Sequence, residues 1–448
     1  MAFTQIHDRS FPASMRIYII SALISIFLMC PAITKAQATQ DALEENYLRA
    51  ACLFHKYEFN EIRDSKAPKG FTPFYISHYG RHGSRFHTNG AIFSEGLLAL
   101  KHAEAEQNLT EAGSCLLKQI DSLYNMHEGM YGALAPNGVR EQQKLAVRMA
   151  ERFPEVFKGT KNVDCYSSDI HRCIVSLAAF TGSLSAQYPD LNFSYESGER
   201  AAGYLRIEQG YAESKAYFYP LMYQAIAEAC DWNGMMRIIF TDPSKVRISP
   251  YEMSSQLWAA WAICQCIEDV HIDIFRYFTP EQLLTNWRLR SMYYHKTFVR
   301  SDKFGEDTAE GCIPLMKDFI EKADAAIASC PQRGSRNAAG TGRNVAATIR
   351  FGHDSTLMPI ASLLGIDEFD DIHSEADPVT EKWDLGKHVC MASNLQLVFY
   401  RNKANKVLVK IMYNEKETTI PALTPYSGCY YDWTALREHM LAKTASCL

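Results

Sequence analysis

The sequence predicts an α/β protein with a largely helical segment inserted into it. Three observations carry that reading. Short apolar runs at Phe74–Ser77, Asn162–Tyr166 and Ala346–Phe351 read as buried strands, and each leads through a polar stretch towards a segment of helical period. Between the second and third runs, residues 185–304 are rich in aromatics and helix formers and carry few strand signals. At 448 residues the chain is too long for one small core, so a large domain with an insertion, or two domains, is expected. Residues 37–184 and 305–448 are assigned to the α/β domain and 185–304 to an inserted helical cap.

Composition is that of an ordinary soluble protein, 47% hydrophobic and 22% charged. A formal net charge of −5 gives no general attraction for nucleic acid or an anionic membrane, so an anionic ligand needs a local basic pocket. At the N-terminus Arg16 precedes the apolar run Ile17–Met29, which ends at Cys30-Pro31. Ala36-Gln37-Ala38 offers a small-x-small cleavage site, with Thr34-Lys35-Ala36 competing. The run is short for a membrane span. Residues 1–36 therefore read as a signal peptide, and the protein as exported, periplasmic or secreted, with no stable membrane span. Leu28-Met29-Cys30 faintly resembles a lipid-attachment site, but Met29 is large for the position before such a cysteine. Removing Cys30 leaves twelve of thirteen cysteines, an even number that permits disulfides. They are scattered, several in apolar helical stretches, and no pair is assigned.

The chain begins with a helical pattern over Ala42–Glu61. The first strand then runs into Gly80-Arg81-His82-Gly83-Ser84-Arg85. Glycines bracket the charged pair and allow close backbone approach or positive φ. Two arginines flanking one histidine suit an oxyanion and repel a cation. Arg81 and Arg85 can each present forked donors to phosphate oxygens, and His82 can act as nucleophile or general base. Helices are expected over Phe93–Glu106, Glu111–Met126 and, after the turn Ala135-Pro136-Asn137-Gly138, Val139–Arg152. Ser167-Ser168-Asp169 has helix-capping character before His171–Leu184, which puts Arg172 in a first turn, where anions bind. In the cap, Glu213–Glu228, Pro250–Cys266 and Pro280–Tyr294 read as helices. Arg288, Arg290, His295 and Lys296 gather cationic and aromatic character there, either as a solvated basic face or as a pocket wall for a multiply phosphorylated substrate. Glu310–Ala328 is a further helix, and Arg333–Asn344 a Gly/Ser/Arg-rich surface loop without P-loop spacing. Gly352-His353-Asp354 lies at a strand-to-helix junction, with the helix running through Leu364 to a stop at Gly365. Leu395–Arg401 and Val407–Tyr413 alternate as two strands joined by Asn402-Lys403-Ala404-Asn405-Lys406 and read as a hairpin.

Arg81-His82-Gly83-x-Arg85 resembles the signature of the histidine acid phosphatases, the branch of the histidine phosphatase superfamily that includes phytases. The longer run Tyr75-Ile76-Ser77-His78-Tyr79-Gly80-Arg81-His82-Gly83-Ser84-Arg85 looks most like the multiple inositol polyphosphate phosphatases. Ser167-Ser168-Asp169-Ile170-His171-Arg172 resembles the second family motif, and Gly352-His353-Asp354 the last. Two positions depart from the pattern. His87 stands where the family usually has proline, and His353-Asp354 stands where the inositol polyphosphate group more often has His-Ala-Glu. The resemblance implies a three-layer α/β/α domain with a central mixed, mostly parallel sheet and an inserted helical cap. It also implies a phosphomonoesterase without cofactor or metal. Arg81, Arg85, Arg172 and His353 would bind phosphate, and His82 would form a phosphohistidine with its other nitrogen held by the Gly83 carbonyl. Asp354 would act as acid and then base, with an acidic optimum. The implied ligand is a small phosphorylated molecule, inositol phosphates such as phytate before others. A broad-specificity acid or sugar phosphatase is the alternative. A phosphomutase, a metal hydrolase using His78, His82 and His87, and a non-catalytic phosphate binder rank below it.

Overall fold

The computed structural model describes residues 45–207, 211–301, 303–304, 307–329, 343–370 and 383–445. The expected signal peptide, Cys30 and loop residues 333–342 lie outside them. One mixed sheet organises the rest. Its strands are β1 (Thr72–Arg81), β2 (Lys161–Ser167), β3 (Leu191–Glu196), β4 (Val345–Gly352), β5 (Asn394–Arg401), β6 (Val407–Tyr413), β7 (Lys416–Glu417) and β8 (Tyr430–Asp432). Their order is β3-β2-β4-β1-β5-β6-β7, with β8 also on β6. The run β3-β2-β4-β1 is parallel, and from β5 onward the pairing is antiparallel.

β1 lies mid-sheet and is buried from Tyr75 to its end. Its side chains feed two cores on opposite faces, as the period of a strand requires. Tyr75 and Tyr79 enter one, Ile76 the other. The longer helices are α1 (Ala91–Ala105), α2 (Glu111–His127), α3 (Pro136–Arg152), α4 (His171–Gln187), α5 (Ala212–Ala229), α6 (Pro250–Cys264), α7 (Pro280–Phe298), α8 (Ile313–Ser329), α9 (Asp354–Leu364) and α10 (Trp433–Ala445). α3 and α4 pack together on the Ile76 face, through Leu145, Met149, Leu177 and Phe180. α8, α9 and α10 cover the other, which gives the three layers. α6 and α7 begin with capping boxes, Ser249/Glu252 and Thr279/Gln282, each followed by proline in the first turn. Gly365, at φ 75°, ends α9 in the left-handed region.

Three readings change. The stretch 185–304 opens with β3, which joins the edge of the sheet, so its helical part starts later. The helical layer also draws on an earlier segment, because α1 packs on α6 and α2 on the short helix Asn233–Ile239. Ala42–Glu61 is not one helix. A 3₁₀ segment, Tyr47–Phe54, is broken at Cys52 (φ 55°), and the chain is extended from His55. Arg49 holds this segment by a two-pronged contact with Glu58, at 3.0 Å through Nε and through Nη2. His55 adds bonds to Glu58 and Gln265. The ten cysteines among the described residues are unpaired, and no helix among those residues is long and apolar enough to cross a membrane.

The register places the chemistry. Arg81 lies opposite Gly352 across β1–β4, and Ser167 opposite Phe351 across β2–β4. The three carboxyl ends therefore open at one edge, where α/β sheets bind ligands. The start of α3 packs against the loop after β1 with backbone on backbone. A Cβ on Gly138 would lie 2.1 Å from the Ser84 carbonyl oxygen, and one on Gly83 would lie 2.5 Å from that of Gly138. Neither glycine has positive φ, so close approach is the requirement here. Gly138→Ala is expected to lower unfolding stability by about 1–3 kcal/mol, the usual cost of overpacking. A denaturant titration that matches wild type contradicts this contact.

Candidate active site

Arg81 closes β1 and is fully buried. Its Nη1 donates to the carbonyls of Leu53 and Val389, both at 2.9 Å. Nε and Nη2 are buried without a hydrogen-bond partner, and Nε lies 3.5 Å from Asp354 Oδ1. The guanidinium is thus tied on one side and presents donors on the other. Arg85 is held by Nη1 on the Phe86 carbonyl at 3.1 Å and by stacking on Phe54, with Cζ 5.3 Å from the ring centroid. Its Nε has no partner either.

His82 stands between them. Its backbone N–H donates to the Gly352 carbonyl at 3.1 Å, and its carbonyl accepts from Ala392 N–H at 3.1 Å. Nδ1 lies 2.9 Å from the Gly83 carbonyl, which fixes Nδ1 as the protonated nitrogen and leaves the Nε2 lone pair free. Buried Glu141 on α3 braces the loop. Its carboxylate accepts from Ser84 N–H at 2.7 Å, Ser84 Oγ at 2.8 Å and Tyr57 N–H at 3.3 Å. Ser176 Oγ accepts from Gly83 N–H at 3.2 Å.

The other two motifs meet this loop. His353 and Asp354 begin α9, where the Tyr79 hydroxyl accepts from His353 N–H at 3.1 Å. The His353 ring stands edge-to-face with His82, centroids 5.6 Å apart. Ser168 Oγ is 3.2 Å from its Nε2, and Arg172 Nη2 is 3.4 Å from its Nδ1. Arg172 Nε is buried without a partner. The capping role read for Ser167-Ser168-Asp169 is not used. Ile170 is the N-cap of α4, no side chain caps it, and Asp169 pairs with Arg206 at 3.1 Å.

The site holds three guanidiniums, Arg81, Arg85 and Arg172, with the Asp354 carboxylate beside them. Burial, reinforced by Arg172, Arg81 and Arg85, holds His82 well below its ordinary value, so the imidazole is neutral. His353 falls to about 3 through burial and then Arg172. Burial raises the Asp354 carboxyl, but Arg81, His353 and Arg85 outweigh it, and the net shift is downward. Arg85 falls to about 10, through burial and Arg172, and remains cationic. Buried, unpaired N–H groups on crowded cations are the chemistry of an anion site.

The remaining expectations divide. Arg290 is buried, with its guanidinium 3.7 Å from the Trp258 centroid. His295 is buried against Trp383, and burial with Lys296 holds it at about 3, so it is no cation in a pocket wall. Arg288 and Lys296 are half-buried and engaged in contacts of their own. His78 lies between Phe180 and Phe351, and His87 against Phe54, so neither joins His82 in a ligand set. Among the described residues no three His, Cys, Asp or Glu side chains gather to hold a metal. Sequence reasoning gives Glu141 no role, and it reads Ser168 as a cap and Phe54 as part of an apolar helix face rather than as supports of His353 and Arg85. A three-residue offset from the Gly138 turn was the one hint for Glu141.

The fold is shared with solved structures of a multiple inositol polyphosphate phosphatase and of phytases. No family model matches the chain. It is 24% identical over 381 residues to multiple inositol polyphosphate phosphatase 1 of Gallus gallus, covering 79% of this chain and 78% of that protein. Among solved structures, the multiple inositol polyphosphate phosphatase of Bifidobacterium longum in complex with inositol hexasulfate aligns with a TM-score of 0.70 at 18% identity, over 87% of this chain and 97% of that one. A phytase from D. castellii aligns at 0.63 and 13% identity, over 90% and 86%. Hafnia alvei phytase in complex with tartrate aligns at 0.52 and 13%, over 85% and 99%.

The electrostatics predict that His82, followed by nitrogen NMR in the ligand-free protein, shows no titration near the ordinary imidazole value of about 6.5. A midpoint there contradicts a buried, cation-surrounded ring.

Proposed function

We propose that the chain is an exported phosphomonoesterase that works through a phosphohistidine and acts on inositol polyphosphates such as phytate. The observation that carries the mechanism is the neutral His82 imidazole, tied through Nδ1 to the Gly83 carbonyl and ringed by Arg81, Arg85 and Arg172. The substrate class rests on the relatives named for it, and export on the apolar run after Arg16.

The phosphoryl group sits among the arginines, whose unpaired N–H groups take its oxygens and stabilise charge in the transition state. Ser168 donating to His353 Nε2 leaves Nδ1–H for the same anion, and a phosphate oxygen relieves the approach of Arg172 to that nitrogen. His82 Nε2 attacks phosphorus, the ester P–O bond breaks, and Asp354 gives its proton to the departing alkoxide. Water then attacks the phosphohistidine. Asp354 takes the water proton, the P–N bond breaks, and phosphate leaves with His82 neutral again. The arginines that bind the anion also lower Asp354. A lowered carboxyl is protonated only in acid, so turnover of alkyl esters falls as pH rises. A broad-specificity acid or sugar phosphatase is the second reading, favoured by His353-Asp354 in place of His-Ala-Glu. Phosphate release across phytate, lower inositol phosphates and sugar phosphates separates the two.

Asp354→Asn tests the acid. An alkoxide needs a proton to leave and a nitrophenolate does not. In single-turnover kinetics the variant is expected to lose about 10²–10⁴-fold on an alkyl phosphate and much less on nitrophenyl phosphate. Equal losses would remove Asp354 from that role.

A further inference from the structure

Glu141 is a carboxylate buried against the loop of His82, 3% exposed. Its three hydrogen-bond partners are neutral: Ser84 N–H, the Ser84 hydroxyl and Tyr57 N–H. The charge that acts on it, from Arg81, is weaker than any of those bonds. Burial outweighs them all and raises the carboxyl. A buried charge without a paired cation is costly. An amide of the same shape would hold the loop without that cost, so the charge calls for a use beyond bracing.

The bonding pattern supplies one. Oε2 takes the Ser84 N–H at 2.7 Å, while the Ser84 hydroxyl and Tyr57 N–H go to Oε1. That N–H belongs to the peptide unit between Gly83 and Ser84. A trans peptide is planar, and its carbonyl points opposite to its N–H. This carbonyl is the Gly83 oxygen that holds His82 Nδ1 at 2.9 Å. A single row therefore runs from carboxylate through peptide to imidazole. The two peptide units before it are pinned as well. Gln142 Nε2 donates to the Arg81 carbonyl at 3.1 Å, and Ser176 Oγ accepts from Gly83 N–H at 3.2 Å. A carboxylate on the N–H makes the peptide oxygen a stronger acceptor, because hydrogen bonds in a chain polarise one another. Attack by Nε2 puts positive charge on the ring, and Arg172, Arg81 and Arg85 oppose that charge. Density drawn through Nδ1–H offsets it from the side away from phosphorus.

We propose that Glu141 is a positioning residue for the reaction: through the Gly83–Ser84 peptide it fixes the Nδ1–H tautomer of His82 and makes Nε2 the stronger nucleophile. No proton moves along the row, and Nδ1 keeps its hydrogen throughout. The inference rests on the phosphohistidine reading and adds how the ring is held and activated.

The test is Glu141→Gln, which keeps the size and an acceptor for Ser84 N–H and removes the charge. Single-turnover formation of phosphohistidine from nitrophenyl phosphate is expected to slow about ten-fold, the difference between a charge-assisted and a neutral hydrogen bond. The Kd of inorganic phosphate, which reads the arginines, is expected to stay as in wild type. Equal losses in rate and affinity would make Glu141 a brace alone and overturn the proposal, as would an unchanged rate. If Glu141→Gln does not fold, Glu141→Asp, which draws the charge back from the N–H, is read by the same split. Proton NMR of the ligand-free protein separates this inference from the reaction. The His82 Nδ1–H resonance is expected to move upfield in Glu141→Gln, as the Gly83 carbonyl accepts less strongly. If wild type forms no phosphohistidine, the proposed mechanism fails while that movement still supports the row; an unmoved resonance overturns it.

Discussion

Everything at the site depends on holding three guanidiniums around a neutral imidazole in a buried place. Packing like charges away from water is costly unless each is tied down. Arg81 is tied by two carbonyls from distant parts of the chain, Leu53 and Val389. Arg85 rests on Phe54, from the same segment as Leu53. That segment is fixed in turn by Arg49, Glu58, His55 and Gln265. Each of the three guanidiniums keeps a buried N–H without a protein partner, and burial, reinforced by their charge, keeps His82 unprotonated. Binding an anion and preparing the nucleophile are therefore two results of one charge arrangement.

The motif chemistry was legible because it is local. Gly80 to Arg85 is contiguous, and the strand and helix on either side of His353-Asp354 follow from apolar period and the Gly365 stop. The parallel pairing that brings those motifs together agrees with the layered fold expected from the resemblance. What could not be read is what is set by distant partners. Tyr47–Phe54 has a helical apolar pattern, yet Cys52 takes φ 55° as Leu53 and Phe54 are turned towards Arg81 and Arg85. Ser168 and Asp169 have capping chemistry, but His353 and Arg206 claim their side chains. Glu141 looks like any helix glutamate, and only the folded chain shows it buried under Ser84. β3 was missed although Leu191, Phe193 and Tyr195 alternate, because the helical signal of the following residues dominated that stretch.

The basic, aromatic stretch of α7 shows the same limit from the other side. Four neighbouring cationic positions looked alike in sequence, and burial separates them. His295 is neutral against Trp383, whereas Arg290 keeps its charge contact with Trp258 and lacks a carboxylate partner among the described residues. Helix phase makes that distinction: Arg290 shares the face of Asn286 and Tyr294, and His295 does not.

The proposed reaction requires His82 to form a covalent bond to phosphorus, and the stereochemistry at that atom tests it most directly. A phosphorothioate monoester made chiral by isotopic oxygen and turned over in labelled water passes through two in-line displacements if His82 is the nucleophile. The predicted product is thiophosphate of retained configuration. Inversion would mean a single attack by water and would contradict the phosphohistidine.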